Sequence, residues 1–137
     1  MFDISHFQMG ALAFLLAFVV AGVFTLAFKV IYQIVTPYEE RTLIRQGNTA
    51  ASIALMGAVI GYVLPVASAL SNTTSLLEFA AWATLAGVIQ IIAFTAVRMI
   101  ALPDVKARIE NGEVSIGVYL AGVSIAVGLL NAACMTA

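Results

Sequence analysis

The fold class this sequence predicts is an all-α membrane protein: four transmembrane helices arranged as two parallel-repeat helical hairpins, with the N and C termini outside the cytoplasm. Three observations carry that prediction. Four long apolar stretches occupy residues 7–35, 50–70, 77–100 and 114–133. All six basic residues, Lys29, Arg41, Arg45, Arg98, Lys106 and Arg108, fall in or beside two short polar connectors. A hairpin-like pattern also recurs at a spacing of 65 residues. A bilayer core about 30 Å thick needs about 20 helical residues to cross it, so each apolar stretch is long enough to span. The bias of Lys and Arg toward cytoplasmic loops then places both connectors in the cytoplasm.

Composition points the same way. The chain is 63% hydrophobic and 9% charged, with a mean hydropathy of +1.08. Soluble domains carry about a quarter of their residues as charges, so a water-soluble fold is not expected. The net charge of −1 hides a segregation, because Asp3 and Glu78 are the only charges predicted on the outer side. There is no basic patch interleaved with aromatics, and no nucleic-acid partner is expected. The single cysteine, Cys134, makes neither an intramolecular disulfide nor a cysteine-based metal site. It reads as a small packing residue near a helix end, with a bridge across a dimer as the alternative. No Lys or Arg precedes the first apolar stretch, so a retained first span is expected rather than a signal peptide.

Residues 1–137 form a single membrane domain. Span one, residues 7–35, carries Lys29 and Gln33 in its last turns, where Lys29 can reach the headgroups and suits the helix dipole. Thr36-Pro37 ends it, because the residue before proline is pushed out of helical geometry. Residues 38–46 predict a short interfacial helix stopped by Gly47, after which Asn48 or Thr49 caps span two. The polar run 71–75 is a tight outer turn. Span three has Glu78 at its start and Arg98 at its close, both complementing the dipole, and Leu102-Pro103 stops it. In residues 104–111, Asp104/Arg108 and Lys106/Glu110 stand at i,i+4 spacing. Gly112 breaks this segment and Glu113 opens span four. Phe79 and Trp82 near the outer interface, and Tyr32 and Tyr38 near the inner one, are placed as an aromatic belt would place them.

The repeat comprises residues 7–71 and 77–136. Shifted by 65 residues, 44–71 lies over 109–136 without a gap. The pairs Ile44/Ile109, Gly47/Gly112, Leu55/Leu120, Gly57/Gly122, Ile60/Ile125, Leu64/Leu129 and Ala67/Ala132 are identical. The order of features also matches: span, proline, charged segment, glycine, small-residue-rich span. Both copies would run outside–inside–outside, with a pseudo-two-fold axis along the membrane normal.

Several stretches resemble a known family. Pro37-Tyr38-Glu39-Glu40, then Gly47-Asn48, lead into Ala54-Leu55-Met56-Gly57-Ala58-Val59-Ile60-Gly61. A third span follows with Trp82 and Gln90, and the chain closes on Gly128-Leu129-Leu130-Asn131-Ala132-Ala133-Cys134-Met135-Thr136. Together these resemble the YjfL-like small bacterial inner-membrane proteins, over essentially the whole chain. The resemblance implies a compact protein of the bacterial inner (cytoplasmic) membrane, in a family without an established biochemical role, and supplies no catalytic residue.

Among residues that could carry function, the small-residue ladders come first. Gly57/Gly61 in span two and Gly117/Ala121 and Gly122/Ala126 in span four let helix backbones approach within lipid. They serve either packing inside one bundle or the seam of a homo-oligomer. Gln90 at mid-depth and Asn131 toward the outer end of span four are intramembrane polar candidates that must find partners or line a polar pathway. Pro65 should kink span two and free a carbonyl near Gly61, either shaping the helix or offering a ligand or ion site. Glu78 with Ser75 fits a capping box, and His6 has no partner at ligand spacing. The six basic residues set topology and meet lipid headgroups. No span carries a mid-depth carboxylate, and there is no nucleophile with a base and no metal-ligand cluster. An enzyme and a bound cofactor are therefore not expected. Two functions remain: a self-associating membrane-interaction or scaffold component, docking cytoplasmic partners through its charged loops, or a subunit of a small oligomeric channel or transporter.

Overall fold

Alternation between long apolar runs and short polar segments resolves into six helices in a computed structural model that describes residues 2–100 and 104–136. In order they are α1 (Ile4–Val35), α2 (Glu40–Arg45), α3 (Thr49–Asn72), α4 (Leu76–Ile100), α5 (Val105–Glu110) and α6 (Val114–Cys134). The four long ones are each apolar and long enough to cross a membrane, and there is no strand among the described residues. Helix α1 begins before the expected residue 7, because Asp3 accepts hydrogen bonds from the backbone N–H groups of Ser5 and His6 at 3.0 and 3.4 Å. The stop expected at Leu102-Pro103 lies outside the described residues.

The short helices end alike. Gly47 and Gly112 adopt φ of +81° and +75°, in the left-handed region that admits glycine readily. Gly47 N–H donates to Ile44 O at 3.0 Å and Gly112 N–H to Ile109 O at 2.9 Å. Asn48 N–H donates to Leu43 O at 2.9 Å, and Glu113 N–H to Arg108 O at 3.0 Å. Asn48 also caps α3 by accepting from Ala51 N–H at 3.0 Å, while its amide donates to Ile109 O at 2.8 Å. One side chain thus starts α3 and ties it to the end of α5.

Helix α3 is the centre of the bundle. It packs along α6 over most of its length and meets α4, α1 and α2 on its other sides. Contacts between α3 and α6 advance together, from Gly117 on Ala50 through Gly57 on Ala121 to Ser68 Oγ donating to Ala132 O at 3.0 Å, so the two helices run parallel. Helices α1 and α4 are parallel too, with Phe24 against Phe79 at 5.7 Å and Tyr32 against Phe94 at 4.8 Å between ring centroids. Across the pairs the direction reverses. Phe28 stacks on Tyr62 of α3 at 4.3 Å, and Tyr62 donates its hydroxyl to Ala83 O of α4 at 2.9 Å.

Helix α1 leaves most of its first half uncovered, with Phe7, Leu12, Phe14 and Phe18 all exposed. In an aqueous protein that surface would be anomalous; on a membrane helix it is what lipid covers. The expected aromatic belt is corrected at three of its four positions. Phe79, Tyr32 and Tyr38 are buried in the bundle, and only Trp82 remains partly exposed.

Candidate functional site

Three groups of residues combine unusual packing or burial with polar chemistry. The first is the α3–α6 seam. A β-carbon at Gly57 would overlap Ala121, one at Gly61 would overlap the backbone of Ser124, and one at Gly117 would overlap Ala50. Gly128 is equally constrained, since its missing β-carbon would fall on the carbonyl of Gly61. In lipid, where apolar burial gives no drive to associate, such close approach supplies the van der Waals contact that holds helices together.

Of the two ladders expected on α6, the structure uses one against α3. Gly117 and Ala121 face it, continued by Ser124 and Gly128. Among the described residues nothing beyond its own stretch of helix comes within 4 Å of where a β-carbon on Gly122 would stand, and Ala126 is exposed four residues later. Sequence reasoning missed Ser124 and Gly128 as seam residues. The signal was the spacing 117, 121, 124, 128, which keeps small residues on one helical face once serine is counted.

The second group is a polar clamp between α4 and α6. Gln90 donates its amide to Ser124 O at 3.2 Å. Asn131 donates to Ala86 O at 3.2 Å and to Gln90 Oε1 at 3.4 Å. Both side chains, and Ser124 with them, are buried. Pro65 is also buried, and α3 continues through it as one helix. Proline has no N–H to offer the carbonyl four residues earlier, so Gly61 O is left free at the point where Gly128 approaches.

The third group lies at the end of the bundle that carries α2 and α5, and most of it was not foreseen. Tyr32, Tyr38, Glu40 and Arg98 are 1%, 3%, 2% and 6% exposed. Thr36 Oγ1 donates to Tyr32 O at 2.6 Å as α1 ends, and Tyr38 and Glu40 are buried in the turn that follows and the start of α2. Both Glu40 oxygens, the two tyrosine hydroxyls and Nε and Nη1 of Arg98 lie in one cluster, yet none of them completes a well-formed hydrogen bond among the described residues. Buried polar groups are normally satisfied, so an unpaired cluster calls for explanation. Burial pushes Glu40 up to about 7, against the lowering influence of the Tyr32 hydroxyl and the Arg98 charge. Tyr38 is raised as well, first by burial and then by Glu40. In the sequence, Glu40 looks like its exposed neighbour Glu39, and only the path of the chain after Pro37 separates them.

The basic residues therefore divide. Arg98, expected at the headgroups, is buried with its guanidinium 4.3 Å from the Phe94 ring centre. Lys29 is half-buried, and Arg41, Arg45 and Lys106 are exposed. Arg108 turns to Glu113 at 2.9 Å rather than to Asp104, and that hydrogen bond holds Glu113 below the usual carboxylate range. Glu78 N–H donates to Ser75 Oγ at 3.1 Å, which is the capping half of the expected box. His6 and Cys134 are exposed, and no cluster of His, Cys, Asp or Glu suited to a metal occurs among the described residues.

Known proteins match this chain along nearly its whole length. The family described as Domain of Unknown Function (DUF350) matches residues 6–135. Two proteins called UPF0719 inner membrane protein YjfL, from Escherichia coli strain K12 and from Escherichia coli O157:H7, are each 37% identical over 131 residues. The alignments cover 96% of this chain and 98% of each relative. No solved structure matches the chain.

Proposed function

The chain belongs to the DUF350 family and is a multi-pass inner-membrane protein, and from that premise we propose that it self-associates through the outward face of α6, as a scaffold presenting two charged connectors to the cytoplasm. The observation that carries this reading is Gly122. It stands four residues from Ala126 on a face that no other helix covers among the described residues. A small-xxx-small pair on an unoccupied helix face is the kind of surface on which membrane helices pair. Exposed Arg41, Arg45 and Lys106 on α2 and α5 are free to meet headgroups or a cytoplasmic partner.

In the same reading, the fold is one hairpin written twice, with both connectors in the cytoplasm and both termini outside. The parallel pairs α1/α4 and α3/α6 support the duplication, as do the matched turn hydrogen bonds at Gly47 and Gly112. Confinement of the basic residues to one end supports the orientation. The channel reading draws less support, because the amides of Gln90 and Asn131 make their hydrogen bonds within the bundle.

Disulfide trapping tests the self-association. Ala126→Cys in a Cys134→Ser background should cross-link in native membranes, and Ala54→Cys in the same background should not, since Ala54 is fully buried. Absence of a cross-linked species at position 126 under oxidation, with the protein present at normal level, counts against the proposed face.

A further inference from the structure

We propose that the crevice between α1 and α4 binds one phospholipid, its acyl chain lying along the helices and its phosphate meeting Arg98. Two cavities follow one another down this crevice. The first, about 340 Å³, lies between Phe24, Phe28, Tyr62, Gly87 and Ile91 and is almost wholly apolar. The second, about 450 Å³, continues one turn further along both helices, among Val35, Thr95, Arg98 and Met99.

The chemistry of the two differs as the two parts of a lipid do. In the upper cavity the hydroxyls that the described residues place on the wall are already spent. Tyr62 donates to Ala83 O at 2.9 Å and Thr84 to Ala80 O at 2.8 Å. The wall offers nothing to a polar solute and fits a hydrocarbon chain. Gly87 keeps the floor open beneath the stacked rings of Phe28 and Tyr62.

The lower cavity is lined by a cation whose carboxylate neighbour, Glu40, makes no ion pair with it. Arg98 is more than nine-tenths buried, with Nε and Nη1 unpaired among the described residues, and no carboxylate lies within ion-pair distance of it there. A buried charge left without a partner is costly, so a site of this kind is completed by an anion. Among the described residues the wall of this cavity carries no acidic side chain to serve as counter-charge for a headgroup ammonium. That favours an anionic lipid such as phosphatidylglycerol over a zwitterionic one. Glu40 is nearby, and burial raising it to about 7 makes it an incomplete counter-ion near neutrality. Basic pockets between transmembrane helices at the headgroup level are established phosphate sites in general. The site stands on the α1–α4 side of the bundle and does not depend on pairing through α6.

Native mass spectrometry of the full chain, released from membranes containing equal amounts of phosphatidylglycerol and phosphatidylcholine, tests this. The wild type should retain a single phosphatidylglycerol in preference to phosphatidylcholine. Arg98→Gln should lower that occupancy about fivefold or more, as expected for the loss of one cationic contact, and Arg98→Lys should restore much of it. Val88→Trp, at the mouth of the apolar cavity, should lower occupancy, whereas Val19→Trp, outside it, should not. Equal retention of both lipids by the wild type would overturn the proposal even if Arg98→Gln failed to fold. So would unchanged occupancy in Arg98→Gln and Val88→Trp, or a lipid-free dimer lost only in Val88→Trp, which would place a second copy in the crevice.

Discussion

The carbonyl of Gly61, released from its own helix by Pro65, faces Gly128 of α6 so closely that a β-carbon at Gly128 would collide with it. Proline and glycine, usually read as breakers, here make one joint between two parallel helices. A weak Cα–H···O contact from Gly128 would give the freed carbonyl a use that lipid could not supply. Gly128→Leu should therefore lower stability by at least the 1–3 kcal/mol typical of overpacking. Thermal unfolding in detergent measures it, and an unchanged melting temperature would show that the seam opens without cost.

The Gln90–Asn131 pair should behave as a coupled unit. Replacing Asn131 by Leu leaves the Gln90 oxygen without that donor. Each single substitution should cost about 0.6–2 kcal/mol, the range for interhelical polar contacts in membranes. The double substitution should cost less than the sum of the two. Strict additivity in a double-mutant cycle would mean that the two amides act separately.

Asn48→Ala removes the α3 cap and the bond to Ile109 O together. Loss of a cap alone costs about 0.5–2 kcal/mol, and the result should lie at or above the top of that range. Asn48→Asp keeps the accepting oxygen but not the donor, so it should recover only the cap. Equal stability of the Ala and Asp variants would indicate that the cap contributes nothing.

Glu40 makes stability depend on pH in a definite direction. Its folded value, near 7, lies above the ordinary 4.5, so the folded chain holds a proton that the unfolded chain releases earlier. The associated stability is complete below about pH 4.5 and is lost as pH rises through 7. The melting temperature should fall between pH 5 and 8, and Glu40→Gln should flatten that part of the profile. A wild-type profile that superimposes on that of Glu40→Gln contradicts the assignment.

How much of this is legible in the sequence follows from what is local. Four apolar helices broken by Pro37, Gly47 and Gly112 are legible because hydropathy and backbone restriction act within a few residues. The face a residue presents is a tertiary matter. Helix α6 carries two small-residue ladders, Gly117/Ala121 and Gly122/Ala126, and nothing local says which meets α3. Tyr32, Tyr38 and Arg98 have the composition of an interfacial belt, yet all three are buried in one cluster with Glu40, which the chain reaches only after the turn at Thr36. Family membership was readable because its motifs extend along the whole chain.

The division between the two glycine faces is also the sharpest test of self-association. Sedimentation equilibrium of Gly122→Leu and Gly57→Leu in a mild detergent compares them directly. Gly122→Leu should melt as the wild type does but sediment as a smaller species. Gly57→Leu should lose stability first, because Ala121 occupies the space its side chain needs. If Gly122→Leu kept the wild-type mass while remaining folded, the outward face of α6 would not be the seam, and the scaffold reading would fall.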